Sequence, residues 1–416
     1  MKVFLMVRTI TSILLWLILT STIATPGITA NHVAFGNAPS NPRTVNITYD
    51  GKERQYMIYL PSNYDHTRGA DGIIVCFHGF GGKMANALAR FQHIANSDNV
   101  NMICIAPQAL PEEDENLLST ASSIGYDLSA VWGQALHVEV KLLGLSTPVG
   151  ATFNQDVDDV AFVRHLIQHT VETYHANPDN VFVGGISMGG YMAYAYAIRH
   201  GDELAGVINY TGTMNFKADT VNVLEYIKVP VLDFHSKMDA TVFYEGEGYY
   251  ACSDNIWMKN GMPKLTALDW WARKNGATRT PIITDMGIHA SDVSVKKYYY
   301  DHIDYEITHF QMEGDNANHS YQIKGGAVNH GTEVREFILR HKNPNKPMIS
   351  YEWLLAPAIA VNDNMVNVVG SDSDRFSEIT IDGVAGADLS ENHDGKEVTL
   401  EASDGTQEIR LMIRKK

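Results

Sequence analysis

Ser187 lies in Gly185-Ile186-Ser187-Met188-Gly189-Gly190, between a β-branched run, Asn180 to Val183, and a helix-like stretch, Tyr191 to His200. In that strand, turn and helix setting, a Gly-x-Ser-x-Gly pentapeptide forms a nucleophile elbow. Gly185 and Gly189 lack the Cβ atoms that would collide where strand and helix meet. The hydroxyl is thereby held out beyond the strand, over a helix N-terminus that favours developing negative charge. The chemistry open to such a serine is attack on an acyl carbon. It needs a base to accept the serine proton and a carboxylate to fix that base's tautomer and stabilise its cation.

In this arrangement the partners follow in the order acid, then histidine. The apolar run Val229 to Phe234 leads into His235-Ser236-Lys237-Met238-Asp239, which places Asp239 just past the carboxyl end of a strand. Asp233 competes for the role, but it lies within the run, where a structural partner is expected, and Asp239 is preferred. A strand expected over Tyr305 to Met312 runs into Glu313-Gly314-Asp315-Asn316-Ala317-Asn318-His319-Ser320, so His319 stands in a loop from which it can swing over the elbow. His330, in Val328-Asn329-His330-Gly331 at the mouth of a closing helix, is the rival among 17 histidines. An oxyanion hole needs main-chain donors aimed at the forming alkoxide. Met188 supplies one N–H at the helix start. Phe80, in His78-Gly79-Phe80-Gly81-Gly82, is the candidate for the other, because the glycines let main chain approach a ligand closely.

The elements that must position these residues read as an α/β protein. Thr44 to Leu60 alternates around Asp50-Gly51, a strong hairpin signal. Gly72 to Phe77, the helical stretch Met84 to Ala95 and the run Asn101 to Ala106 form a βαβ unit, and runs that are apolar throughout imply a parallel sheet buried on both faces. Asp156 to His175 carries apolar residues at three- and four-residue steps, with acids in its first turn, and predicts an amphipathic helix. Further strands are expected over Gly206 to Tyr210 and Val229 to Phe234, and helices over Leu265 to Lys274 and Gly331 to His341. Two stretches break the rhythm, Gln108 to Gln155 and Ala240 to about Pro263. The first emerges on the side where ligands bind in open parallel sheets. Trp132 within it has no obvious core to join, and its flat indole suits stacking on an aromatic acyl group or a sugar face; the alternative is a plug that anchors its own loop.

At 416 residues with 45% hydrophobic content the chain has room for a large domain and a smaller one. A net charge of -16 argues against a phosphate-tracking surface, so nucleic acid is excluded as a partner. Lys2 and Arg8 precede an apolar run, Ile10 to Ala24, followed by small residues, which reads as a secretory signal peptide over residues 1–30 and places the protein outside the cytoplasm or at the cell surface. The run is short for a membrane span, and no later stretch could cross a bilayer. The three cysteines, Cys76, Cys104 and Cys252, are too few for a disulfide framework. No Cys/His spacing reads as zinc, and the serine chemistry calls for no metal or cofactor. An α/β domain is expected over residues 31–343. A small all-β module follows over 344–416, where Val366 to Val369, Ile379 to Ile381, Val398 to Leu400 and Ile409 to Ile413 alternate between polar turns.

As an ordered set, His78-Gly79-Phe80-Gly81-Gly82, Asp158-Asp159-Val160-Ala161-Phe162, Gly185-Ile186-Ser187-Met188-Gly189-Gly190-Tyr191-Met192-Ala193, the Asp239 loop and the His319 loop resemble the secreted esterases that group feruloyl esterases, acetylxylan esterases and polyhydroxybutyrate depolymerase-like enzymes. The resemblance covers about Thr44 to Lys342. It implies an α/β-hydrolase fold, a mostly parallel sheet flanked by helices, and removal of feruloyl or acetyl groups from an acylated polysaccharide or oligosaccharide. Ser236 stands where the family often has glycine before its acid. The His319 loop lacks the Gly-Gly-Gly-His-Thr-Trp pattern common among depolymerases. Both departures favour the plant-polysaccharide esterases over a polyhydroxyalkanoate depolymerase.

Two other readings differ in class. A serine peptidase of prolyl-oligopeptidase type would share the elbow, but the absence of a propeller-sized domain ahead of it counts against that reading, and a non-catalytic binding protein would not need Ser, Asp and His in this order. The choice of base is directly testable: His319→Ala removes ester hydrolysis, whereas His330→Ala retains most of it. Steady-state rates on a nitrophenyl ester, with folding checked by circular dichroism, distinguish the two; the reverse result moves the base to His330.

Overall fold

Asp50 and Gly51 both take positive φ, 50° and 70°, the geometry of a two-residue hairpin turn. They join β1 (Arg43–Tyr49) to β2 (Lys52–Tyr59), with Tyr49 opposite Lys52 and Arg43 opposite Ile58. The computed structural model describes residues 42–342 except 98, 124–126, 134, 143–147, 219, 225–226, 247, 254–255, 290–291 and 324–327, and beyond them six strands between 358 and 412. The expected signal peptide and the linker that follows Lys342 lie outside the described residues.

From the hairpin the chain runs through β3 (Gly72–Phe77), α1 (Met84–Ala95), β4 (Met102–Pro107), α2 (Glu115–Ser123), β5 (His137–Leu142), β6 (Val149–Thr152), α3 (Asp159–Tyr174), β7 (Val181–Ile186) and α4 (Met188–His200). It continues through β8 (Gly206–Tyr210), β9 (Val231–Ser236), β10 (Tyr250–Ser253), β11 (Ile256–Lys259), α5 (Lys264–Asn275), β12 (Ile282–His289), β13 (Val293–Tyr300), β14 (Ile307–Glu313) and α6 (His330–His341). Ten strands form one sheet in the order β1-β2-β4-β3-β7-β8-β9-β14-β13-β12. Those from β4 to β14 are parallel, and the pairs at both margins are antiparallel. The strands β3, β4, β8 and β9 are buried at every residue, as strands covered on both faces are; β3 and β4 are apolar throughout, while β8 and β9 also bury Asn209, Asp233, His235 and Ser236.

Successive strand residues point to opposite faces, and β7 shows what covers each. A Cβ on Gly184 would stand 2.8 Å from the Phe91 ring of α1, and one on Gly185 would stand 2.3 Å from the Gly189 carbonyl of α4. The two helices therefore lie on opposite sides. With Leu88 and Phe91 of α1, Val334, Phe337 and Ile338 of α6 join one core, each side chain worth about 2 kcal/mol of burial. On the other side Tyr194 of α4 stacks on Trp271 of α5 at 6.0 Å. This is the α/β-hydrolase fold.

The two irregular stretches contain more order than expected. The first holds α2, β5 and β6, the second holds β10 and β11, and together they build a four-stranded sheet in the order β10-β11-β5-β6. Its central pairing sets Met258 opposite Val140 and Lys259 opposite Glu139. The hairpin β12–β13 at the sheet margin also has no counterpart in the expected elements. Beyond residue 357 every described residue is in a strand: β15 (Ala358–Asn362) pairs β16 (Met365–Val369), and β17 (Phe376–Ile381), β18 (Val384–Ala385), β19 (Glu397–Ala402) and β20 (Glu408–Met412) share a sheet in the order β18-β17-β19-β20. The chain divides into two compact units, of which the larger comprises residues 33–66 and 70–344.

One buried ion pair ties the first insertion to the large unit. Asp159, the first residue of α3, accepts from the Arg54 guanidinium of β2 through Oδ1 and from the Gly133 amide at 2.6 Å through Oδ2, and neither charged side chain reaches solvent. The Gly133 main chain passes so close to α3 that a Cβ there would stand 2.1 Å from the Val157 carbonyl. Removing one partner strands the other charge. Arg54→Met is therefore expected to lower the unfolding free energy by about 3 kcal/mol, read from urea titration, and a loss below about 1 kcal/mol would show that water replaces the guanidinium.

Candidate active site

At the end of β7 the chain reverses into α4 through Ser187, whose φ of 55° and ψ of -123° are rare for a residue with a side chain. The surrounding main chain enforces it. The Ser187 amide donates to the Tyr210 carbonyl of β8 at 2.8 Å, and its carbonyl accepts from the Gly190 amide at 2.8 Å. A Cβ on Gly190 would stand 2.0 Å from Asn209 Oδ1. Ser187 is thus held between β8 and the first turn of α4, partly exposed, and its hydroxyl has no hydrogen-bond partner among the described residues.

Asp239 follows β9, and His319 follows β14 and a single 3-10 turn, Asp315–Ala317. The structure brings these two together: His319 Nδ1 lies 2.7 Å from Asp239 Oδ2. Asn318 Oδ1 accepts from both the Ala240 amide at 3.0 Å and the His319 amide at 2.8 Å, which pins one loop to the other. The amides of Thr241 and Val242 donate to Asp239 Oδ1 at 2.8 and 2.9 Å. Burial alone would raise the Asp239 pKa, but the hydrogen bonds from His235 and His319 and their charge hold it well below the usual carboxylate range.

His235 was not singled out by the sequence. It is fully buried, with Nε2 3.1 Å from Asp239 Oδ2 and 2.9 Å from the Val242 carbonyl. Its position four residues before the acid was the available signal.

The rivals lie elsewhere. Asp233 is buried in a polar cluster, bonded by Lys264 Nζ at 2.7 Å, His309 Nδ1 at 2.7 Å, Asn209 Nδ2 at 2.6 Å and the Tyr194 hydroxyl at 3.1 Å. Burial would raise its pKa, and the Lys264 charge together with His309 reverses that. His330 opens α6 edge-on to Tyr321 at 5.3 Å.

The loop after β3 presses on the elbow: a Cβ on Gly79 would stand 3.3 Å from that of Ser187. His78 braces this loop. The Ala109 amide donates to its Nε2 at 3.1 Å, so Nδ1 carries the hydrogen and donates to the Gly79 carbonyl at 2.7 Å. Trp132 corrects the stacking expectation. It is fully buried, donates Nε1–H to the His78 carbonyl at 2.8 Å and packs on the rings of His78 at 4.6 Å and Phe77 at 5.4 Å. An indole with one face against the loop that begins at His78 and its N–H satisfied is not available to a ligand. The anchoring alternative describes it.

Ser187, Met188 and Phe80 line one cavity of about 220 Å³. Its other walls come from Leu117, Leu128 and Leu136 of the first insertion, Val138, Val140 and Ala151 of the small sheet, Met258 of the second insertion, and Tyr191 and Val242. Most of these wall residues lie in the two irregular stretches, where no periodicity singled them out. Among the described residues no helix is long and apolar enough to cross a membrane, and no group of His, Cys, Asp and Glu is placed to hold a metal ion. Cys76 and Cys104 are free and buried.

Residues 149–254 match the model of the Phospholipase/Carboxylesterase family. Among solved structures, the chain is similar to an acetyl xylan esterase from Aspergillus awamori at 14% identity, over 72% of this chain and 99% of that one, with a TM-score of 0.45. It is similar to SOBER1 of Arabidopsis thaliana at 16% identity, over 65% and 99%, with a TM-score of 0.39. It is also similar to Thermogutta terrifontis esterase 2 at 11% identity, over 73% and 93%, with a TM-score of 0.39. No curated protein matches the chain.

The His78 brace makes a prediction about acid stability. Burial lowers its pKa from the ordinary 6.5 to about 4. On acidification the unfolded chain takes up the proton first, so the His78 contribution is complete above the unfolded value and is lost as pH falls toward the folded one, by about 3 kcal/mol in all. Unfolding free energies measured from neutral pH downward are expected to fall more steeply for wild type than for His78→Asn; parallel curves would mean that His78 takes up a proton in the fold as readily as in the unfolded chain.

Proposed function

We propose that this α/β-hydrolase chain is a serine carboxylic ester hydrolase that works through an acyl-enzyme on Ser187. The observation that carries the reading is a strained serine at the end of a central strand, opening on an apolar cavity that Phe80 and Met188 also line. The 2.7 Å hydrogen bond between Asp239 and His319, in loops that follow neighbouring parallel strands, supports it. The matched carboxylesterase family segment, which contains Ser187 and Asp239, supports the same class.

In the proposed reaction the Ser187 hydroxyl attacks the ester carbonyl and gives its proton to His319 Nε2. Nδ1–H of the same ring points at Asp239, which remains ionised throughout because its pKa is held low. The alkoxide is received by the main-chain N–H groups of Phe80 and Met188, the second at the N-terminus of α4. Collapse of the intermediate breaks the ester C–O bond, and the departing alcohol takes the proton back from His319. Water, deprotonated by His319, then repeats the addition on the acyl-enzyme and frees Ser187.

The cavity bears on the acyl group. A volume of about 220 Å³ bounded by leucine, valine, methionine and phenylalanine suits a hydrocarbon or flat aromatic acyl group. Of the two acyl groups suggested by sequence, feruloyl fills such walls and acetyl leaves most of them uncovered. A polysaccharide alcohol side and export from the cytoplasm belong to the same proposal, resting on the motif resemblance and on the apolar N-terminal segment.

Purified protein tested on methyl ferulate, acetylated xylan, short-chain nitrophenyl esters and a proline peptide is expected to cleave the esters and spare the peptide, with methyl ferulate above acetylated xylan. Ser187→Ala is expected to lower ester turnover by about a thousandfold or more while remaining folded. A variant that keeps about a tenth of wild-type turnover removes Ser187 from the role.

A further inference from the structure

Asp239 Oδ2 faces two imidazoles, and the ester-hydrolase reading uses only one. Within a triad the acid orients the base, so whatever fixes the acid fixes both. We infer that His235 is a positioning residue of the site: a neutral imidazole whose Nε2–H, shared between Asp239 Oδ2 and the Val242 carbonyl, sets the orientation and the effective charge of the carboxylate that faces His319. This rests on the proposed role of Ser187, Asp239 and His319.

The tautomer follows from the acceptors. A carbonyl oxygen can only accept, and Nε2 lies 2.9 Å from that of Val242, so the hydrogen is on Nε2 and reaches Asp239 Oδ2, 3.1 Å away, as a bifurcated bond. Nδ1 is then a bare lone pair, buried and without a partner among the described residues. Protonating it would place a cation where no acceptor waits. Burial and the Lys264 ammonium oppose that cation, while Asp239 and Asp233 favour it; the net direction is a lowered pKa. Tyr244, whose ring meets His235 edge-on at 5.4 Å, bonds instead to His309 and Gln311. The ring therefore stays a neutral donor, while His319, partly exposed, bonds to the same carboxylate oxygen.

Two effects follow at His319. The carboxylate is held by donors on both oxygens: Thr241 and Val242 amides on Oδ1, His235 on Oδ2. Rotation away from His319 would break all of them. The His235 hydrogen bond also draws charge from the oxygen that His319 uses, so an imidazolium there is stabilised less than by an undiluted carboxylate.

The test compares variants at position 235 on a soluble ester, with kcat, KM and the acidic limb of kcat/KM measured for each. His235→Leu fills the volume without a donor. It is expected to lower kcat by about tenfold or more with KM changed less than about twofold, and to move the acidic limb upward by about half a pH unit. His235→Gln, whose amide nitrogen can occupy the Nε2 position, is expected to restore the limb and kcat to within about threefold of wild type. Should His235→Leu fail to fold, His235→Asn, whose amide stops short of Asp239, carries the same comparison. An unmoved limb and unchanged kcat in a folded donor-free variant would overturn the inference, as would Gln and Leu variants that lose activity alike. Ser187→Ala, run in parallel, separates the two readings: if it retains turnover the ester-hydrolase assignment fails, whatever position 235 does.

Discussion

The site depends on main chain meeting main chain where β7 enters α4. Gly185 and Gly189 approach so closely that a Cβ on the first would stand 2.3 Å from the carbonyl of the second. No side chain can be accommodated there without moving the helix off the sheet. That contact sets the height of α4 above the sheet, forces Ser187 to a φ of 55°, and leaves the hydroxyl beyond the last strand residue. Gly189 is also limited from above, since a Cβ there would stand 2.5 Å from the Phe77 carbonyl of β3. The elbow and the loop that begins at His78 are thus parts of one close-packed unit, and strain at Ser187 is balanced by the packing of three segments.

Around that unit, three loops are held by polar contacts whose geometry leaves little freedom. His78 and Trp132 brace the loop of Phe80, Asn318 joins the Asp239 and His319 loops, and Asp159 holds Gly133 next to Trp132. The chain from Arg54 through Asp159, Gly133 and Trp132 to the His78 carbonyl runs from β2 to the loop of Phe80 entirely through buried groups. The Asp233 cluster plays a comparable part beneath α4, where Lys264 and His309 compensate a carboxylate that would otherwise be an isolated charge in the core.

The parts of the fold legible in the sequence are those whose burial leaves a simple pattern. The strands β3 and β4 read as unbroken apolar runs because both faces are covered, and α3 reads as a helix because Asp158 caps it and one face is apolar. Ser187, Asp239 and His319 could be picked out together because each follows a strand whose carboxyl end was recognisable. The strands β6, β10 and β11 are four residues each, too short for a period to declare itself, and the pairing of β11 with β5 joins two separate insertions. The strand β12 is exposed on both faces over most of its length, so it carries no alternation at all. Trp132 illustrates a different limit: residue type suited it to a ligand face, but what decides its role is the His78 carbonyl, fifty-four positions away. His235 was hidden because nothing in the sequence Val231 to Ser236 shows that its ring, and not that of another residue in the strand, faces the acid.

The small sheet over the cavity has a consequence for how the protein breathes. Its central ladder, β5 with β11, joins segments more than a hundred residues apart through four residue pairs, and the ten-stranded sheet shares no ladder with it. With four residue pairs and no ladder to the large sheet behind it, this ladder belongs to the low-stability end of the molecule. Its opening frees Val138, Val140 and Met258 together from the cavity wall while the loops bearing Asp239 and His319 stay joined through Asn318. Amide exchange in the small sheet then reports a local opening whose free energy is set apart from that of global unfolding, and apolar ligands that fill the cavity slow that exchange by closing the same wall.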